Sequence, residues 1–433
     1  MTVSWASECM QNVAAELRDD VEELSANCGY EDQSRLVRVA NQLAAGACGG
    51  ELLREVEALI DHAHKKMAGS SGRVLTAWRR YYTDACILRS LSDIELSTKA
   101  AIARLDRAII IAGAAGHDRL ELIHVLIRKA QVEFLGASSE CDGIRPTSIT
   151  LSPSTSKVSA SSGTIPCLNS PPSLGAFRSQ HCHQPFILRG FAHSWPALQE
   201  HSWSSLEYLL FVAGPGRVVP VEVGLDYRDN DWSQRLMDWQ EFLAHTGLGG
   251  NIVQSDDDQT PTLYLAQHNL LMQFPALRDD ICVPDYVYTS PSPVLCPSYQ
   301  PPGNDEQLII NAWLGPTGTF SPAHFDPYFN FYSQVVGYKT VWLAPPSLSN
   351  SMYPVAQLGS PHDSGGSVGT VNTSAVDVFG ESDGDGSFPA FWADVVPHAM
   401  SATLEPGDVL FFPPCWWHAM RSETPSFSVS MWF

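Results

Sequence analysis

Asp408-Val-Leu-Phe-Phe-Pro-Pro-Cys-Trp-Trp-His418 reads as a short strand, a tight Pro-Pro turn and a histidine set among aromatic residues. Four β-formers in succession favour a pleated, buried segment, and proline, which cannot donate to a ladder, stops it. The same texture recurs on either side. Pro185-Phe-Ile-Leu-Arg-Gly190, Val218-Val-Pro-Val-Glu-Val223, Gln307-Leu-Ile-Ile-Asn-Ala-Trp313, Lys339-Thr-Val-Trp-Leu343 and Ser426-Phe-Ser-Val-Ser-Met-Trp432 are short runs of β-formers, mostly closed by Gly or Pro. Many short strands separated by irregular loops predict a β-sandwich or jelly-roll barrel over residues 174–433. Within it, residues 358–386 are rich in Gly, Ser and Asp and read as a partly disordered surface insertion.

Before this region the periodicity is helical. Leu52, Leu53, Val56, Leu59 and Ile60 fall at helical spacing, and the pattern repeats over Leu75–Leu91, Ala100–Ala115 and Arg119–Phe134. Residues 1–137 therefore read as an all-α domain, an antiparallel bundle or solenoid. Between the two, residues 138–173 are dense in Ser, Thr and Pro and carry no aromatic residue. Such a stretch buries too little apolar surface to offset its ordering entropy, so a flexible linker is expected. The whole is an α+β chain of 433 residues, long enough for two domains.

Composition narrows the function. A net charge of −21, with no clustered Lys and Arg, speaks against direct binding to a phosphate backbone. It suits steering of a basic protein or peptide partner, and equally suits simple solubility. No apolar run is long enough to cross a bilayer, and the N-terminus lacks the charged and apolar regions of a secretory signal. The ten cysteines are scattered, with no C-x-x-C pair, so reduced thiols in the nucleus or cytoplasm are expected.

The chemistry centres on Ser321-Pro-Ala-His-Phe-Asp326. His and Asp two apart on an extended segment project to the same side and can share one ion. Alone, H-x-D arises about once by chance in a chain with 14 histidines. A histidine in apolar surroundings, such as His418, is likewise more often a satisfied core residue. Together, H-x-D, a following strand with Lys339 and a late histidine are far more specific. Two imidazoles and a carboxylate occupy one face of an octahedral ion and leave the others open.

These residues resemble the JmjC (jumonji-C) family of the cupin superfamily, and within it the arginyl-hydroxylase subfamily. The similarity runs through VPVEVGLDYRDNDWSQ from Val219, YLAQHNLL from Tyr264, INAWLGPTGTFSPAHFDPYFNF from Ile310, GDVLFFPPCWWHAMRS and FSVSMWF. The helical segment around Trp78 resembles the N-terminal domain of such proteins. The resemblance implies a double-stranded β-helix barrel with Fe(II) on His324, Asp326 and His418, and 2-oxoglutarate and O2 as co-substrates. It implies that Lys339 pairs with the distal carboxylate of 2-oxoglutarate, that Tyr264, Ser321 and Asn330 hydrogen-bond it, and that Trp432 lines its pocket. It further implies a substrate pocket with Glu222, Gln267 and Trp313. Glu222 in an apolar strand needs a cation, either a substrate guanidinium or a Lys or Arg of the chain. The expected activity is hydroxylation of a protein side chain, most simply arginine. N-methyl-lysine demethylation by the same chemistry and a non-catalytic scaffold are the alternatives.

Overall fold

A computed structural model of the chain describes residues 4–137, 158–224, 226–228, 231–248, 261–292, 296, 299–358, 372–380 and 386–433. Contacts divide it into two units: Met1–Gly143 with Leu210–Pro220 and Leu236–Gln240, and the remainder of the chain to Phe433.

The first unit holds helices α1 (Ser4–Asp19), α2 (Val21–Cys28), α3 (Tyr30–Ala44), α4 (Gly50–Ala68), α5 (Gly72–Asp93), α6 (Thr98–Ala112) and α7 (Arg119–Leu135). Helix α5 touches α1, α2, α3, α4 and α6. It is accordingly buried on most sides, from Trp78 through Tyr82 and Ile87 to Leu91. Burial of this stretch forces its one interior carboxylate, Asp84, into a pair with Arg119 at 2.6 Å. The sequence reading assigned 210–220 to the second domain, yet this segment is fastened to the helices. Arg217 makes a fork with buried Asp106 (Nη2–Oδ1 2.7 Å), and Gln131 donates to Ala213 O at 2.9 Å.

The second unit is a two-sheet barrel. In chain order the strands are β1 (Gly163–Thr164), β2 (Cys167–Leu168), β3 (Phe186–Leu188), β4 (Val218–Val223, of which Val221–Val223 fall in this unit), β5 (Ser233–Asp238, of which Ser233–Arg235 fall in this unit), β6 (Leu263–His268), β7 (Ile309–Gly315), β8 (Phe320–Phe325), β9 (Asn330–Val336), β10 (Lys339–Ala344), β11 (Met400–Leu404), β12 (Val409–Phe412), β13 (Trp417–Ser422) and β14 (Ser426–Trp432). One sheet runs β1-β11-β10-β13-β8 and the other β2-β3-β12-β9-β14-β7-β6-β4-β5. Residues Ile187, Val341, Leu343, Leu410, Phe412 and Met420, drawn from both sheets, fill the space between them. Trp342, Ala344, Trp417 and Ala419 point the other way and pack beneath Met352, Phe391 and Val395. Period-two alternation thus sorts each strand into an inner and an outer face.

Two sequence expectations change here. Residues 138–157 of the proposed linker lie outside the described residues, but 158–173 are built in. Val158 and Ala160 are buried in the outer cluster, and β1 and β2 pair in parallel with β11 and β3. Of the proposed insertion, 359–371 and 381–385 lie outside the described residues. Residues 372–380 are a working part of the fold: Val376 and Val378 are buried, and Thr373 bridges to His324. The Phe325 N–H donates to Asn372 O at 3.0 Å and the Ser374 N–H to Ala323 O at 2.8 Å. This strap pairs with the outer side of β8, the last strand of its sheet.

The turn before β10 depends on glycine. Gly337 has φ +74°, and a Cβ there would stand 2.0 Å from Pro425 O. The contact is with backbone and cannot be relieved by a rotamer change. We expect Gly337→Ala to cost about 3 kcal/mol or more, read as a lowered denaturant midpoint with an unchanged m-value.

Candidate metal centre

The inner face of the five-stranded sheet carries the candidate ligands. On β13, Trp417 and Ala419 pack outward, which leaves His418 facing inward; on β8, Ala323 packs outward and His324 inward. Antiparallel register then sets His324 directly against His418, with ring centroids 4.2 Å apart. Asp326, just beyond β8, brings Oδ2 to 3.5 Å from His418 Nε2.

Each imidazole is oriented by its own chain. Nδ1 of His324 lies 2.8 Å from Pro322 O, and Nδ1 of His418 lies 3.0 Å from Trp416 O. With Nδ1–H donating to a carbonyl, Nε2 is left as a lone pair for a cation. One ligand atom from each of His324, Asp326 and His418 lies within 4.8 Å of the other two. Burial, reinforced by His418, pushes the His324 imidazolium down to about 4. For Asp326 burial acts upward, but the neighbouring His418 and His324 outweigh it and hold the carboxyl below its ordinary range. Neutral imidazole and ionised carboxylate are the forms that bind a metal.

The triad opens onto a narrow cavity also walled by Tyr264, Trp313, Ser321, Asn330 and Trp432. Five residues named from sequence therefore come together with all three candidate ligands. Lys339 is 1% exposed, and its Nζ donates to Tyr264 OH at 3.2 Å and Tyr332 OH at 3.0 Å. Burial pushes this ammonium down to about 7. Asn330 Oδ1 and Trp432 Nε1 are buried without a hydrogen-bond partner among the described residues. A buried lysine facing only hydroxyls, beside orphaned polar atoms, is what an anionic ligand would complete. The donor set fits Fe(II), and the buried ammonium with the orphaned polar atoms fits the carboxylates of a 2-oxo dicarboxylate.

The three substrate candidates fare differently. Glu222, on β4, stands opposite Tyr264 on β6. Burial raises its carboxyl above the ordinary range, and the groups that counter this, Trp232 and Gln234, are neutral. The Trp232 Nε1–H reaches Glu222 Oε2 at 3.4 Å. Trp313 lines the cavity and donates to Ser430 Oγ at 3.0 Å. Gln267 is not brought to the cavity. It is exposed, with φ +50°, at the irregularity between Leu265 and His268 that breaks the alternation of β6.

Two cavity residues escaped the sequence reading, Tyr332 and Met420. Tyr332 sits two residues after Asn330 on β9, so the period-two rule alone could have found it. One cysteine expectation is also corrected. Cys296 and Cys415 form a disulfide across 119 residues, because the turn after β12, with Cys415 at φ +65° and its N–H on Asp326 O, carries the sulfur to Cys296.

Fold and site together define a cupin barrel with a two-histidine, one-carboxylate centre, and a cupin-like domain is matched over residues 177–433. The chain belongs to this family, among its JmjC oxygenases, which are 2-oxoglutarate-dependent enzymes. It is 34% identical to Jumonji C domain-containing protein 5 of Drosophila melanogaster over 422 residues, covering 92% of each chain. It is 31% identical to Lysine-specific demethylase 8 of Xenopus tropicalis (98% of each chain) and 32% identical to that of Danio rerio (87% of this chain, 86% of the relative). Among the described residues no helix is long and apolar enough to cross a membrane.

Proposed function

We propose that this protein hydroxylates an arginine side chain in a basic protein or peptide, with Fe(II), 2-oxoglutarate and O2. The observation that carries the substrate is Glu222, a half-buried carboxylate opposite cavity-lining Tyr264 whose partners are neutral. A guanidinium, with its planar fork, satisfies such a group better than any other side chain. The net charge of −21 favours the approach of a basic partner.

In this reading His324, Asp326 and His418 hold the iron. When bound, Fe(II) with 2-oxoglutarate and O2 supplies the oxidation of a C–H bond to C–OH, releasing succinate and CO2. The protein contributes position and exclusion of water. Lys339 meets the distal carboxylate of the co-substrate, with Tyr264, Ser321 and Asn330 as further hydrogen-bonding groups. Trp432 and Trp313 keep the cavity dry, and Glu222 holds the guanidinium so that one carbon faces the centre.

We expect Glu222→Gln to lower kcat/KM on an arginine peptide by about 30-fold, since one partner of a buried charged pair is removed. Peptide-independent conversion of 2-oxoglutarate to succinate stays near wild type. Mass spectrometry reads the product: one added oxygen on arginine supports the proposal. Loss of a methyl group from lysine supports instead the second reading, demethylation, which the names of two relatives favour. A wild-type protein that neither retains iron nor forms succinate would be a scaffold, and the proposal would fall.

A further inference from the structure

We infer that Arg228 is a positioning residue that clasps the loop after the Glu222 strand to the strap behind His324, and so sets the entrance used by the substrate. Its Nε lies 2.8 and 3.0 Å from the two oxygens of Asp226, a carboxylate that is 8% exposed. The Arg228 backbone N–H also donates to Asp226 Oδ1 at 2.8 Å, closing a tight local ring. From this anchored position Nη1 reaches across and donates to Ser374 O at 2.9 Å.

Ser374 is the pivot. Its carbonyl takes the guanidinium, while its N–H donates to Ala323 O, the residue before His324. Next to it, Thr373 bridges to His324, and Thr373 Oγ1 lies 3.4 Å from Tyr227 OH. One continuous path therefore runs from Asp226 through Arg228 and the strap to the metal strand. It holds Tyr227, 36% exposed, over the same strap and close enough for Asp326 to act on its phenol. Both ends of the path border the site: Glu222 lies four residues before Asp226 on one side and His324 on the other. The fork with Asp226 lies within the loop and fixes the guanidinium, so that Nη1 meets Ser374 O as a pre-oriented, charge-assisted donor. The strap itself contains residues that composition assigns to a surface insertion, so the clasp gives that segment a task at the entrance.

The inference rests on the proposed function for its kinetic readout but not for its structural one. In the full-length iron-loaded enzyme, Arg228→Ala should raise KM for a basic arginine peptide about tenfold, the loss of one charge-assisted contact. Iron content, kcat and peptide-independent succinate formation should stay within about twofold of wild type. Hydrogen exchange at the Ser374 and Phe325 amides should accelerate about tenfold. Asp226→Asn cuts the clasp from the other side and should do the same if Arg228→Ala does not fold. The double variant should be no worse than the more severe single one. Unchanged exchange, unchanged KM, or multiplicative effects in the double variant would overturn the clasp. If wild type turns over no peptide at all, the proposed function fails, and the exchange rates alone decide the clasp.

Discussion

Asp326→Ala yields a folded protein that emerges from gel filtration without iron and forms succinate more than about a hundredfold more slowly than wild type. Outer partners of metal ligands already cost roughly 10- to 100-fold when lost, and Asp326 is placed to be a ligand itself. Its carboxylate is the only negative group in the triad. Without it, two imidazoles with centroids 4.2 Å apart remain, and two nitrogen donors alone hold a hard divalent cation poorly. The fold should survive, since Asp326 follows β8 and its side chain pairs only with His418 among the ion pairs of the barrel's described residues. Iron content by mass spectrometry is the direct check. Retention of wild-type iron by the variant would sink the ligand assignment, whatever happened to activity.

The second large effect has two signs. Lys339→Met should weaken 2-oxoglutarate binding by about 2–5 kcal/mol, roughly thirtyfold or more. It should also stabilise the ligand-free protein by about 1 kcal/mol. The ammonium is 1% exposed and meets only two phenol oxygens. Removing it relieves an uncompensated buried charge, although the phenols lose a donor, which keeps the gain small. The pH dependence has the same origin in burial. The Lys339 ammonium titrates near 7 in the native protein against the ordinary 10.5 of an unfolded lysine. Between those values the unfolded chain holds a proton that the native state lacks, so native stability rises with pH across this window. The cost is full below pH 7 and gone above 10.5. A carboxylate arriving beside Lys339 reverses the shift, so 2-oxoglutarate binding near pH 8 should take up close to one proton and near pH 6 almost none. Calorimetry in two buffers of different ionisation heat measures this. Equal uptake at the two pH values would show that the co-substrate does not meet Lys339.

The His324 and Asp326 pair was legible because strands repeat every two residues, whereas the rest of the site was implied by the family resemblance. Lys339 shares a parity with Val341 and Leu343, and both of those face the barrel interior. His324 and Asp326 share a parity as well. What period two cannot supply is pairing between distant strands, and the register that sets His324 against His418 came only with the fold. Composition misled in two places. Val158, Ala160 and Ile165 are buried within a Ser- and Thr-rich stretch, and Val376 and Val378 within a Gly-rich one. A few alternating apolar residues are enough to seat a short segment on an existing sheet, while average composition still reads as solvent-exposed. Gln267 lies apart from the metal cavity for another reason: its own left-handed backbone interrupts the in-and-out alternation of its strand.

The strap that pairs with β8 also matters beyond the entrance. Without Asn372–Ser374, the metal strand would be the bare rim of a five-stranded sheet. A bare rim presents free N–H and C=O groups to any passing chain, and copies of the same strand are the most available partners. By ending the ladder with a short segment, the fold keeps the strand that carries its chemistry from becoming a template for self-association.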